Sequence, residues 1–212
     1  MTDLTGGSGV PYYSQWESPE LVPRFLDGSL RAAEDPRWAA SGARTPQEYE
    51  RWAARVCGLA CLRMILAARS LPVPPMMSLL ERALQWHCYV PDGDRVIGLI
   101  YQPFADWVGQ EFAIRAQVAA ELPLATLAAA ASPATPVIAS VHGWIRNPAE
   151  VPPGRGGHLV LVTGADEETV RLHNPSGLPE VSQRDALISI TDFERFFAGR
   201  GLIIGDGASR PA

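Results

Sequence analysis

Lysine is absent from this 212-residue chain, and all 18 basic side chains are arginine. With no side-chain primary amine there is no Schiff-base nucleophile, no attachment point for a pyridoxal cofactor and no phosphate-loop lysine. Runs of one charge are also missing. The balance of 23 acidic against 18 basic residues gives a formal net charge of −5, and nothing basic enough to mark a nucleic-acid or anionic-membrane surface. No apolar stretch approaches the ~18 residues that a membrane span needs. Met1 to Gly9 carry neither a basic n-region nor an apolar h-region, so a globular cytoplasmic protein is expected, without nucleic-acid or membrane partners. The acidic residues form no paired-carboxylate motif and no glycine-rich phosphate loop appears, so no cofactor is expected.

Cysteine is scarce: Cys57, Cys61 and Cys88 are the whole set. Without an export signal they read as free thiols. Cys57 and Cys61 fall one helical turn apart, where Cβ atoms are about 5–6 Å from each other, beyond the ~3.8 Å of a disulfide.

What is present is a chain that changes character halfway. An extended entry is expected over 10–16, then an irregular stretch over 17–44 broken by Pro19, Pro23 and Pro36, with a short helix near 36–40. Thr45-Pro46-Gln47-Glu48 has the form of a capping box with proline at the first helical position, opening a helix toward Arg55. Residues 57–69 are apolar on most sides, which predicts a helix in the middle of a domain. Pro72, Pro74 and Pro75 break the chain, and a helix capped by Ser78 is expected toward His87, with further helices over 103–110 and 122–131. After Pro136 come short β-rich runs at 137–141, 158–163, 169–173 and 202–204, with a helix at 191–198 and a hairpin turn at 164–168. Helices first and strands afterwards predict an α+β fold, in which a mostly antiparallel C-terminal sheet packs on the central helix carrying Cys57. One domain over 1–212 is expected, flexible at 1–9 and 206–212.

The chemistry-bearing residues follow the same order. Cys57 opens the central helix, where backbone N–H groups carry roughly half a positive charge and favour a thiolate. Gly58 behind it costs ~1 kcal/mol against alanine, which suggests close approach of something to the helix start. His158 follows Gly156-Gly157 at the head of the run Leu159 to Val162, placing a base at a sheet rim. Asn174 comes sixteen residues later, in the turn sequence Asn174-Pro175-Ser176-Gly177, able to accept a proton from one ring nitrogen and turn the other toward the thiol. His173 alternates with Asn174, so only one of the two faces the site. Gln15 offers a side-chain amide that, with the Cys57 N–H, would hold an oxyanion, a task worth roughly 2.7–4 kcal/mol per donor. Each residue also has a plain reading: Cys57 as core, His158 as a satisfied strand-end histidine, Asn174 as a turn former, Gln15 as a surface amide. A zinc site from Cys57, Cys61, His87 and Cys88 is an alternative of another class, matching the usual short paired spacings only loosely.

Val10-Pro11-Tyr12-Tyr13-Ser14-Gln15, Cys57-Gly58-Leu59-Ala60-Cys61-Leu62-Arg63-Met64-Ile65, Gly157-His158-Leu159-Val160-Leu161-Val162-Thr163-Gly164 and Asn174-Pro175 together resemble the blocks of bacterial papain-like cysteine peptidases of the double-glycine-leader type, and more closely their stand-alone relatives without a transporter. The resemblance implies a papain-like fold, with Cys57 as nucleophile, His158 as general base and then acid, Asn174 as the orienting residue and Gln15 in the oxyanion hole, acting on a peptide or amide without metal or cofactor. Two departures stand out. The transporter-linked enzymes carry Asp where this chain has Asn174, and the segments 17–44 and 142–155 are longer than a minimal leader peptidase needs. The expected activity is peptide or amide hydrolysis through a thioester. An acyltransferase or cyclising enzyme differs only in what attacks the thioester, and a non-catalytic peptide-binding module is the alternative outside catalysis.

Overall fold

The computed structural model describes residue 4, residues 6–93 and residues 95–206. Among these, seven α-helices and eight strands form an α+β fold, and the helices dominate the first half. α1 (Val22–Leu26), α2 (Pro46–Ala53), α3 (Cys57–Ala68) and α4 (Met76–Gln85) lead to a two-stranded hairpin of β1 (Tyr89–Asp92) and β2 (Arg95–Gly98). α5 (Tyr101–Phe112), β3 (Ile114–Ala119) and α6 (Leu124–Ala130) follow, then β4 (Val137–His142), β5 (Gly157–Ala165), β6 (Thr169–His173), β7 (Ala186–Ser189), α7 (Ile190–Phe196) and β8 (Phe197–Asp206). Six strands make one sheet in the order β3-β8-β4-β5-β6-β7, antiparallel at every pairing.

The central strands β4, β5 and β6 are buried on both faces, and the period of two decides which side chain goes where. In β5, Leu159 and Leu161 join α3, α4 and α5 in one core, while Val160 and Val162 join α6 and α7 in the other. Each such side chain contributes roughly 1.5–3 kcal/mol of burial. A slip of one residue would exchange the two sets, so the register that brings His158 opposite Val141 is firmly held. α3 is buried along its length from Gly58 to Leu66, matching the all-round apolar pattern. Its one charged residue there, Arg63, is paired to Glu17 at 3.1 Å and lies 4.5 Å over the Tyr13 ring.

Several expectations shift in detail. Thr45 caps α2 through Glu48 N–H at 3.1 Å, but the Glu48 carboxylate accepts from Arg44 N–H at 2.7 Å, one residue before the cap. α4 begins at Met76 behind Pro75, with no side-chain cap, so Ser78 lies inside its first turn. The stretch 17–44 is more ordered than packed coil: it holds α1 and three 3-10 turns, organised around buried Asp35, which accepts from Ser18 Oγ at 2.5 Å, Tyr49 Oη at 2.7 Å and Arg37 N–H at 2.9 Å. Strands β1, β2, β3 and β7 were not expected. Within 1–9, Leu4 is buried and Ser8 N–H donates to Asp185 at 3.0 Å, so these two residues are held against the body of the protein rather than flexible. Of the expected flexible end over 206–212, Asp206 closes β8 and residues 207–212 lie outside the described residues.

Among the described residues no helix is long and apolar enough to cross a membrane.

Candidate active site

Cys57 is the first residue of α3, and the residue before it, Val56, offers no side-chain cap, so the helix start keeps its N–H groups uncapped. The thiol is half-buried and free, as are the fully buried Cys61 and Cys88. Burial pushes the Cys57 thiol above its ordinary value, against the pull of the N–H groups of Leu159, Gly58 and Cys57 itself and of the Arg146 charge. The helix start was expected to depress it; here burial outweighs the helix terminus, whose field is worth about a kcal/mol or less. Cys61 is raised further, and Cys88 is pushed up to about 12, both mainly by burial. Gly58 marks a close approach: a Cβ there would lie 2.9 Å from Leu99 Cδ2 and 3.1 Å from Leu159 Cδ1.

His158 is the second residue of β5, entered through Gly156 and Gly157 at φ of +88° and +91°, where L side chains are strained. Its Nε2 lies 2.8 Å from Asn174 Oδ1 and 3.1 Å from Ser176 Oγ. Ser176 N–H donates to the same Asn174 Oδ1 at 3.1 Å, which fixes the amide orientation and requires the histidine proton on Nε2. Nδ1 is thereby left as the unprotonated nitrogen. No hydrogen bond joins the ring to Cys57, a common condition in unliganded sites. Burial first, and then the Arg146 charge, lower His158 to about 3, with the Asn174 contact opposing them.

Asn174 follows the last residue of β6. Its N–H donates to Gln183 O at 2.8 Å and its carbonyl accepts from Gly177 N–H at 2.9 Å and Tyr12 Oη at 3.0 Å. His173, one residue earlier, faces the other way and is bound to the backbone: Nε2 donates to Val10 O and Nδ1 accepts from Asp185 N–H, both at 2.9 Å. The two side chains divide between faces as their alternation predicts.

Gln15 reaches this region through the strand-like entry. Its N–H and Ser14 Oγ both donate to Pro175 O, at 3.0 and 2.9 Å, which lays residues 10–15 along the Asn174 turn. Its side chain is buried and Oε1 has no hydrogen-bond partner, but Gln15 lines neither of the two cavities at the thiol. Those cavities share Cys57, Gly98, Gly157 and His158. One, of about 300 Å³, extends past Leu99, Tyr101, Ser140, Leu159 and Arg200. The other, of about 470 Å³, passes Tyr89, His142, Gly143, Trp144 and Arg146. Together they form a cleft with the thiol and imidazole at its middle.

The structure thus brings Cys57, His158 and Asn174 together and sets Gln15 beside Asn174. Sequence reasoning missed Ser176 and Arg146. Ser176 stood in the turn already singled out. Arg146 lies in the 142–155 segment, whose 3-10 turn Gly143–Arg146 borders the cleft, whereas nothing from 17–44 does. The zinc alternative is not assembled: among the described residues no three His, Cys, Asp or Glu side chains come together to hold a metal ion. The chain matches no protein-family model and no curated protein.

Proposed function

We propose that this chain is a papain-like cysteine peptidase acting on a peptide or amide bond. The observation that carries the reading is the 2.8 Å contact from His158 Nε2 to Asn174 Oδ1, because it leaves Nδ1 free as the base in a cleft that Cys57 shares. A raised thiol and a lowered imidazole mean that the resting pair is neutral. Proton transfer from sulfur to Nδ1 then accompanies attack on the carbonyl instead of preceding it. The oxyanion forms against the Cys57 N–H, with Gln15 as the second donor on the strength of the family resemblance. His158 next protonates the leaving amine, and water, deprotonated by the same ring, releases the acyl group as a carboxylic acid.

Iodoacetamide labelling followed by peptide mapping tests the nucleophile. Cys57, being part exposed and the least raised of the three, is expected to react at least about tenfold faster than Cys61 or Cys88 near neutral pH. A peptide library is expected to be cleaved by the wild type and left intact by Cys57→Ala. Equal, slow labelling of all three cysteines would remove the reading.

A further inference from the structure

Arg146 occupies an unusual position for an arginine. Its Nε donates to Ser176 O and Ser176 Oγ, both at 3.0 Å, and Nη1 donates to Gly143 O at 2.8 Å. Gly143 makes room for it, since a Cβ there would fall 2.9 Å from Nη1. Every acceptor is neutral. Among the described residues no carboxylate lies within ion-pair distance of Arg146, and none lines either arm of the cleft, although the chain as a whole carries a net charge of −5. Nη2 has no hydrogen-bond partner. Holding the Ser176 turn uses Nε and Nη1 and leaves Nη2, which is not a buried atom, open to a ligand in the cleft.

Resting on the reading of Cys57 as nucleophile, we infer that Arg146 binds a carboxylate carried by the substrate, making this arm of the cleft selective for anionic peptides or amides. A planar guanidinium already fixed at two nitrogens presents its third as a pre-organised donor to a carboxylate oxygen. Trp144, 46 % exposed on the same arm, supplies an apolar wall beside the charge. Arg55 borders the same arm, with Nη1 donating to Arg51 O, so among the described residues two arginines and no carboxylate line it, as an anionic group requires. The charge also reaches the chemistry: it favours the Cys57 thiolate and disfavours the His158 imidazolium. A bound carboxylate offsets that charge and so relieves the smaller, Arg146 part of the lowering at His158, leaving the larger part, which is burial.

The test uses two alkylating reagents of nearly equal size, iodoacetate and iodoacetamide, at one ionic strength. The readout is the ratio of their rates at Cys57, in which any change of thiolate fraction cancels. Arg146→Gln is expected to lower the iodoacetate/iodoacetamide ratio about fivefold or more, and Arg146→Lys, which keeps the charge, to retain most of it. In the wild type, independent of any variant's folding, N-acetylglycine is expected to protect Cys57 from iodoacetamide at lower concentration than N-acetylglycinamide. An unchanged ratio in Arg146→Gln, or equal protection by the acid and the amide, would overturn the inference while leaving the nucleophile reading intact. Slow labelling of Cys57 by both reagents removes the nucleophile reading and the carboxylate site with it.

Discussion

Lowering the pH from 6.5 toward 3 is expected to destabilise this protein by several kcal/mol through His158 alone. Burial and the Arg146 charge hold the ring at about 3 in the folded chain, against an ordinary 6.5 when unfolded. Between those values the unfolded chain binds a proton that the native state refuses, so stability falls as pH falls, by about 1.4 kcal/mol for each unit of pH. Above pH 6.5 neither state is protonated and the effect vanishes. The full span corresponds to roughly 4–5 kcal/mol as an upper bound, a large part of the ~5–15 kcal/mol that holds an ordinary domain together. His173, lowered chiefly by burial, acts in the same direction, so the wild-type slope exceeds that of one group. Urea unfolding at several pH values should therefore show a midpoint that drops steadily below pH 6.5. His158→Gln is expected to remove about one proton's worth of that slope, and a slope unaltered by the substitution would mean that the ring is not held neutral in the native state.

The features that place the cleft were unevenly legible in the sequence. α3 and β5 announced themselves, because both are buried on all sides and a long apolar run has few other uses. The pairing of His158 with Asn174 was legible as an order of residue types, since a glycine-led strand and an Asn-Pro turn are each local signals. β3 carried one too: Ile114, Ala116 and Val118 alternate with Arg115 and Gln117, the period of an edge strand, and the proximity of α5 masked it. The hairpin of β1 and β2 was signalled by Pro91-Asp92-Gly93, a turn former between two short runs, yet with Pro91 inside the first run the pattern counted against a strand.

What the sequence did not disclose is what depends on distance. A thiol at a helix start reads as depressed because the helix field is local and visible; the burial that outweighs it arises from tertiary packing, which no local stretch of sequence displays. Arg146 was invisible for the same reason. Its partners Ser176 and Gly143 are neutral and lie in two different loops, so no charge pattern marks it. β4 and β5 run side by side, with His142 opposite Gly157, and that adjacency delivers the 143–146 turn to the histidine.

Gly177→Ala is the substitution expected to disturb both stability and site most. A Cβ at Gly177 would lie 2.3 Å from Ser182 O and 2.5 Å from Gln183 Cα, and both obstacles are backbone. Neither moves freely: Gln183 O accepts from Asn174 N–H at 2.8 Å, and Ser182 Oγ donates to Arg146 O at 2.6 Å while accepting from Leu178 N–H at 3.0 Å. Relief of the clash must therefore displace the turn that carries Asn174 and Ser176. Overpacking of this kind costs about 1–3 kcal/mol where side chains adapt, and the upper end or more is expected against backbone. For a chain of this size that is a fall in Tm of roughly 6–12 °C. Gly201→Ala provides the matched case, because its Cβ would meet Ile138 O at 2.3 Å between β8 and β4, apart from the turn. Both variants lose stability, but only Gly177→Ala also loosens the Asn174 contact that keeps His158 oriented and shut away from water. Its stability should consequently depend less steeply on pH below 6.5 than that of Gly201→Ala, and equal slopes in the two would show that the 174–183 turn is not what secures the histidine.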